Sequence, residues 1–225
     1  MSSQMATVTA LQLQQLNRRC DYQALAKPLA AACAKYKIDT ARRVRHFVAQ
    51  LCVESAGLTR FEENLNYSAK RLTEVWPKRF PSLAAAAPFA GNPQALANKT
   101  YGGRGGNTGP NDGWLYRGRG PLMSTFHCNY AEAQDLTGLP LLAHPDLLLK
   151  PEVGFDVAGA FWWSRGCNEL VDEDPGEKPL ATIEASIRAN EEDDLRAARL
   201  KVNGGLIGLD DARAWLIKTG FIWRD

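Results

Sequence analysis

The residues of this sequence whose types and spacing could do chemistry are a few carboxylates and one hydroxyl. Glu54, in Phe47-Val48-Ala49-Gln50-Leu51-Cys52-Val53-Glu54-Ser55, lies seven residues after Phe47 and three after Leu51. Helical spacing therefore puts it on or beside an apolar stripe. It also falls in the last turn before Gly57. Burial and the negative end of the helix dipole both oppose charge there, which favours the protonated acid. That is the state a general acid for glycosidic cleavage needs. The plainer reading is a helix-end glutamate paired with Arg42, Arg43 or Arg45. A second carboxylate comes from Glu62 or Glu63. Nine residues along one helix would separate Glu54 and Glu63 by about 13 Å. Gly57 breaks the helix and lets the chain fold back, and an acid and base acting around a water need about 6.5–9.5 Å. The spacing permits that separation without choosing between Glu62 and Glu63.

Thr125 follows Gly118-Arg119-Gly120-Pro121. It either caps a helix start or also holds a nucleophilic water. Asn203, in Val202-Asn203-Gly204-Gly205, is either a helix C-terminal residue or an amide for sugar N-acetyl and hydroxyl groups. Tyr67, Tyr101, Trp114 and Tyr116 flank the loops. They either stack on the apolar faces of sugars or pack locally.

The elements that must position these residues are mainly helical, because period-3.6 patterning dominates. Asp21 starts a helix running to about Tyr36, and Asp39 or Thr40 starts the next, whose stripe is Val44, Phe47, Val48, Leu51 and Ser55. Ser68 starts a short one that stops around Trp76-Pro77. Eight glycines between Gly102 and Gly120 predict irregular backbone, so residues 81–120 read as a loop-rich cleft region. Helices resume from Ser124/Thr125 to Gly138, from Pro151 to Gly166, from Asn190 to Gly204, and from Asp210 to Gly220. The expected fold is mainly α with at most a small β-hairpin, one domain over residues 1–225, the N-terminal helices occupying 8–38.

The chain has 225 residues, 45% hydrophobic and 23% charged, with net charge +2. This is ordinary globular composition and excludes collagen, coiled coil and long disorder. The charge is too small to argue for nucleic acid, though it suits a polyanionic surface such as a bacterial wall. No apolar run approaches a membrane span, and the N-terminus has no secretory pattern. Five widely spaced cysteines (20, 33, 52, 128 and 167) read as free thiols in a reducing compartment. Three scattered histidines give no metal motif, and no phosphate-binding loop is present.

Four blocks together resemble the bacterial and phage branch of glycoside hydrolase family 19, the chitinase-like group that includes endolysins. They are residues 47–72, 97–122, 161–172 and 201–213, containing FVAQLCVESAGLTRFEENLNYSAKRL, ANKTYGGRGGNTGPNDGWLYRGRGPL, FWWSRGCNELVD and KVNGGLIGLDDAR. The resemblance implies a lysozyme-like two-lobed helical domain and inverting, cofactor-free hydrolysis of β-1,4-linked amino sugars. It implies Glu54 as acid, Glu63 rather than Glu62 as base, and Thr125 as holder of the water. Asn129, Asn203 and Arg213 match its sugar contacts, and Tyr67, Tyr101 and Arg104 are further candidates from the loops. Two positions depart from the family pattern: Met123 stands where glutamine is usual, and Val53 where many relatives have histidine. A thioether cannot make an amide's hydrogen bonds.

The expectation is a monomeric endolysin acting on peptidoglycan strands, without metal, nucleic acid or stable membrane insertion. It would wait in the host cytoplasm for release through a holin-like pore, then act in the periplasm and wall. The alternatives are a chitinase, a one-glutamate lytic transglycosylase, and a non-catalytic sugar-binding protein.

Overall fold

The computed structural model describes residues 6–172 and 182–224. In chain order the helices are α1 (Ala10–Leu16), α2 (Tyr22–Lys35), α3 (Ala41–Glu54), α4 (Ala69–Val75), α5 (Leu83–Ala86), α6 (Pro93–Tyr101), α7 (Asp112–Leu115), α8 (His127–Thr137), α9 (Pro151–Ser164), α10 (Cys167–Leu170), α11 (Ile183–Asn190), α12 (Glu192–Asn203) and α13 (Leu209–Ile222). Among the described residues β structure is limited to isolated bridges pairing Arg119 with Glu62 and with Ser124. No helix among them is long and apolar enough to cross a membrane. All five cysteines are free, and only Cys128 is exposed.

The described chain falls into two compact units. The first holds residues 6–61, 120–122, 147–172 and 182–224, and the second holds 62–119 and 123–146. In the first unit, side-chain oxygens of Thr9, Asp21 and Thr40 accept backbone N–H groups and start α1, α2 and α3. The core gathers Leu13, Leu16, Leu29, Val44, Phe47, Leu51, Phe155 and Trp162. Phe47 meets Trp162 edge-on, with ring centroids 5.4 Å apart. The α2–α9 contact requires Gly159, since a Cβ there would fall 2.4 Å from the Tyr36 ring.

α3 departs from the one-stripe expectation. Ten of its fourteen residues are buried, among them Arg42, Arg45, His46 and Gln50. A second apolar cluster of Ala49, Ile187, Leu195, Ala212 and Leu216 covers the face that patterning leaves to water. The charged groups of this face are paired instead, while His46 Nδ1 and Gln50 Nε2 are buried without a partner among the described residues. Arg45 donates to both oxygens of Glu191 at 2.7 and 3.0 Å, and His46 Nε2 lies 2.8 Å from Glu191 Oε2. The α12 and α13 starts also shift: Glu191 rather than Asn190 precedes α12, and Gly208 rather than Asp210 precedes α13, which runs on to Ile222.

The second unit has its own core of Leu65, Leu72, Phe80, Ala86, Leu96 and Ala97, edged by Tyr67, Trp76 and Trp114. Its 81–101 stretch is more regular than expected. Ser82 and Asn92 cap α5 and α6, and Pro93 occupies the first turn of α6. Glycine density describes 102–111 well and fails upstream, where alanine and capping residues prevail. The hydroxyl of Thr125 does not cap α8. Phe126 precedes that helix, with φ +78°, and Thr125 Oγ1 donates to the Met123 carbonyl at 2.9 Å.

Candidate active site

Glu54 is the last residue of α3. The chain then makes a tight turn in which Ala56, Gly57 and Leu58 all have positive φ. Ser55 locks the turn, its hydroxyl donating to Leu51 O at 2.6 Å and accepting from Leu58 N at 2.9 Å. The Glu54 side chain keeps 19% exposure, and its Oε1 accepts from Arg199 Nη1 at 2.6 Å. Arg199 is 3% exposed and is itself fixed, donating to Gln50 Oε1 at 3.3 Å and to the Ile207 carbonyl at 2.8 Å. The partner of Glu54 is therefore an arginine 145 positions away. Arg42, Arg43 and Arg45 serve other acids: Asp194, Asp172 and Glu191 respectively. The expectation built on burial and the helix dipole left out this buried guanidinium.

The second unit treats its two adjacent glutamates differently. Glu62 is bound by Arg117, through Nε at 2.8 Å and through Nη2. Arg117 in turn lies over the Trp114 ring, 3.7 Å from its centroid. Glu63 meets neutral donors. Its Oε1 accepts the Gly118 N–H at 2.6 Å, and its Oε2 accepts the Tyr101 hydroxyl at 2.6 Å. The Glu63 and Gly118 main chains are also joined, Glu63 N donating to Gly118 O at 3.0 Å. Burial first, and then the charge of Glu63, push the Tyr101 hydroxyl well above the ordinary tyrosine range, so it remains a donor.

Gly118 brings Thr125 to this carboxylate. A Cβ on Gly118 would lie 3.2 Å from Thr125 Oγ1 and 3.4 Å from the Glu63 carboxyl carbon. Hydroxyl and carboxylate thus flank the same backbone position, and only glycine leaves both undisturbed. The surrounding loop is pinned by Asn107, which donates to Tyr101 O at 3.0 Å and accepts from His127 N at 2.9 Å. Arg119, the arginine of the Gly-Arg-Gly-Pro motif, is buried against Leu115 O, the Tyr130 hydroxyl and Asp146.

Most of the remaining expected contacts have partners within the protein, Arg104 Nη1 donating to Thr100 O at 3.3 Å. Arg104 is exposed and lies 5.4 Å from the Phe126 ring centroid, while Tyr67 is half-buried and packs on Trp76 at 5.3 Å. Trp114 and Tyr116 pack locally, Tyr116 against His127 and Tyr130. Asn129 spends its amide on Thr125 O at 2.6 Å, and Asn203, at the end of α12, reaches Ile207 O at 3.4 Å. Arg213 is taken by Glu192, at 2.6 and 2.8 Å, and by Asp210 at 2.6 Å. Met123 has φ +50°, and its carbonyl is the acceptor that orients Thr125. Among the described residues no group of three or more histidine, cysteine or acidic side chains is placed to hold a metal.

Comparison with solved structures defines the class. The fold is shared with chitinase C from Streptomyces griseus, at TM-score 0.55 and 21% identity, covering 96% of this chain and 76% of that one. It is shared also with a bacterial family 19 chitinase, at TM-score 0.52 and 18% identity over 95% of each chain. These are helical, lysozyme-like proteins. In sequence, a glycosyl hydrolase family 19 domain-containing protein of Haemophilus influenzae is 32% identical over 200 residues, 84% of this chain and 82% of the relative. An endochitinase of Arabidopsis thaliana is 46% identical over 48 residues, 21% of this chain and 17% of that protein. No family model matches. The chain belongs to glycosyl hydrolase family 19 and is a chitinase-like glycoside hydrolase.

Proposed function

We propose that this glycoside hydrolase is an endolysin that cuts the β-1,4 bonds of bacterial peptidoglycan with inversion. Glu54 gives its proton to the glycosidic oxygen as the bond from that oxygen to the anomeric carbon breaks. Glu63, ionised, takes a proton from a water steadied by Thr125, and the water oxygen bonds to the anomeric carbon from the opposite face. Each half of the cut chain leaves with a hydroxyl, and no cofactor is needed. Arg199, at 2.6 Å, steadies the carboxylate that Glu54 becomes once its proton has gone.

The observation that carries this reading is the unequal treatment of Glu62 and Glu63. Arginine occupies the first, whereas neutral donors orient both oxygens of the second beside the Thr125 hydroxyl. Peptidoglycan rather than chitin is favoured by the resemblance of the Glu63-Asn64-Leu65-Asn66-Tyr67-Ser68-Ala69 run to the endolysin branch. Host lysis after release through a membrane pore, with activity in the wall, follows from that role.

The test compares clearing of purified peptidoglycan with clearing of colloidal chitin. Peptidoglycan should clear faster, and Glu54→Gln or Glu63→Gln should each cost at least about a hundredfold. Faster clearing of chitin would favour the second reading, a chitinase, to which the Arabidopsis endochitinase match points.

A further inference from the structure

The second unit carries an open pocket of about 770 Å³ lined by Val75, Trp76, Pro77, Lys78, Arg79 and Lys99, and neither Glu62 nor Glu63 lines it. Val75 ends α4, the turn after it supplies the next four of these residues, and α6 supplies Lys99. The Trp76 indole packs on two other rings, with its centroid 5.3 Å from that of Tyr67 and 6.4 Å from that of Phe80. The charge is one-sided, since three of the six lining residues are cations and none is an acid. The nearest carboxylate in sequence, Glu74, is taken by Arg71 at 3.1 Å. Among the described residues Lys78, Arg79 and Lys99 have no ion-pair partner. Arg79 is half-buried, whereas Lys78 and Lys99 are exposed. A rigid aromatic wall beside unpaired cations suits a ligand that joins an apolar skeleton to carboxylates.

We propose that this pocket is an accessory binding site for the carboxylates of peptide stems on peptidoglycan strands, a proposal that rests on peptidoglycan being the substrate. Chitin is uncharged and offers the three cations nothing, so the pocket gives the enzyme a preference between the two polymers. It holds the strand and takes no part in bond cleavage.

Binding to a Glu54→Gln protein, which removes the acid, tests this without turnover. The probes are glycan strands from purified sacculi, intact or stripped of their peptides by an amidase. Intact strands should bind about tenfold more tightly, as expected for a few exposed ion pairs. The preference should disappear at 0.5 M salt. Adding Lys78→Gln, Arg79→Gln and Lys99→Gln should abolish it while leaving the thermal midpoint unchanged. If the triple variant unfolds, Lys78→Gln with Lys99→Gln, both exposed, should still reduce the preference severalfold. Equal binding of the two glycans by the parent protein, or a preference that survives these substitutions, overturns the proposal. Failure to clear peptidoglycan is a separate result and contradicts the substrate reading instead.

Discussion

At the scale of single residues, two glutamates one position apart differ in what holds them. An arginine bound to Glu62 occupies it, whereas the Tyr101 hydroxyl and the Gly118 N–H orient Glu63 and leave its negative charge unopposed by a bound cation. Tyr101→Phe removes one of the two donors without changing the ring. It should lower kcat about tenfold or more with little change in KM, because a hydrogen bond to a charged group is worth roughly 1.5–3 kcal/mol. Glu62→Gln should cost activity much less, and steady-state kinetics on soluble glycan fragments measures both. Glu54, Glu63 and Thr125 stand out in the sequence as candidates by type and position, but there the choice between Glu62 and Glu63 comes only through family resemblance. Arg199 gave no local signal, because its meeting with Glu54 joins segments 145 positions apart. Tyr101 was legible as an aromatic but not as a hydroxyl donor, since its role depends on where the glycine-rich loop returns.

At the scale of elements, the turn after α3 sets where Glu54 ends up. Three successive residues with positive φ cost about 1–2 kcal/mol for each non-glycine, and the Ser55 hydroxyl with the Asn17 amide, 2.7 Å from Gly57 O, offsets that cost. A Cβ at Gly57 would fall 2.7 Å from Asn17 Nδ2 and 2.8–2.9 Å from the Trp215 ring. Gly57→Ala should therefore destabilise the protein by about 2 kcal/mol or more and lower the thermal midpoint by several degrees, which calorimetry reads directly. Helix starts at Asp21, Thr40 and Ser68 were legible because a capping side chain is a local event. The start of α8 was misplaced because Thr125 turns its hydroxyl back to Met123 rather than onto the helix. The burial of α3 on all sides was hidden for another reason. Its arginines and histidine look solvent-facing until the acids that accept their hydrogen bonds arrive from distant segments.

At the scale of the whole molecule, that buried cluster makes stability depend on pH. Burial lowers the pKa of His46 below the ordinary 6.5, even with Glu191 beside it. The unfolded chain therefore takes up a proton that the folded one refuses, and stability falls as pH drops below about 6.5. Burial opposes ionisation of Glu191 too, but hydrogen bonds from His46 and Arg45 outweigh it and hold the pKa down to about 2. Its contribution is complete above about 4.5 and is lost as pH falls towards 2. Thermal midpoints measured from pH 8 to pH 3 should decline in these two stages, and His46→Gln should remove the first.

The most direct test of the central claim, inverting hydrolysis of peptidoglycan by Glu54 and Glu63, is proton NMR of glycan strands during the first minutes of digestion. New reducing ends should appear first as the α-anomer and then equilibrate. Reducing ends that appear first as the β-anomer, or anhydro sugars in place of reducing ends, would contradict it.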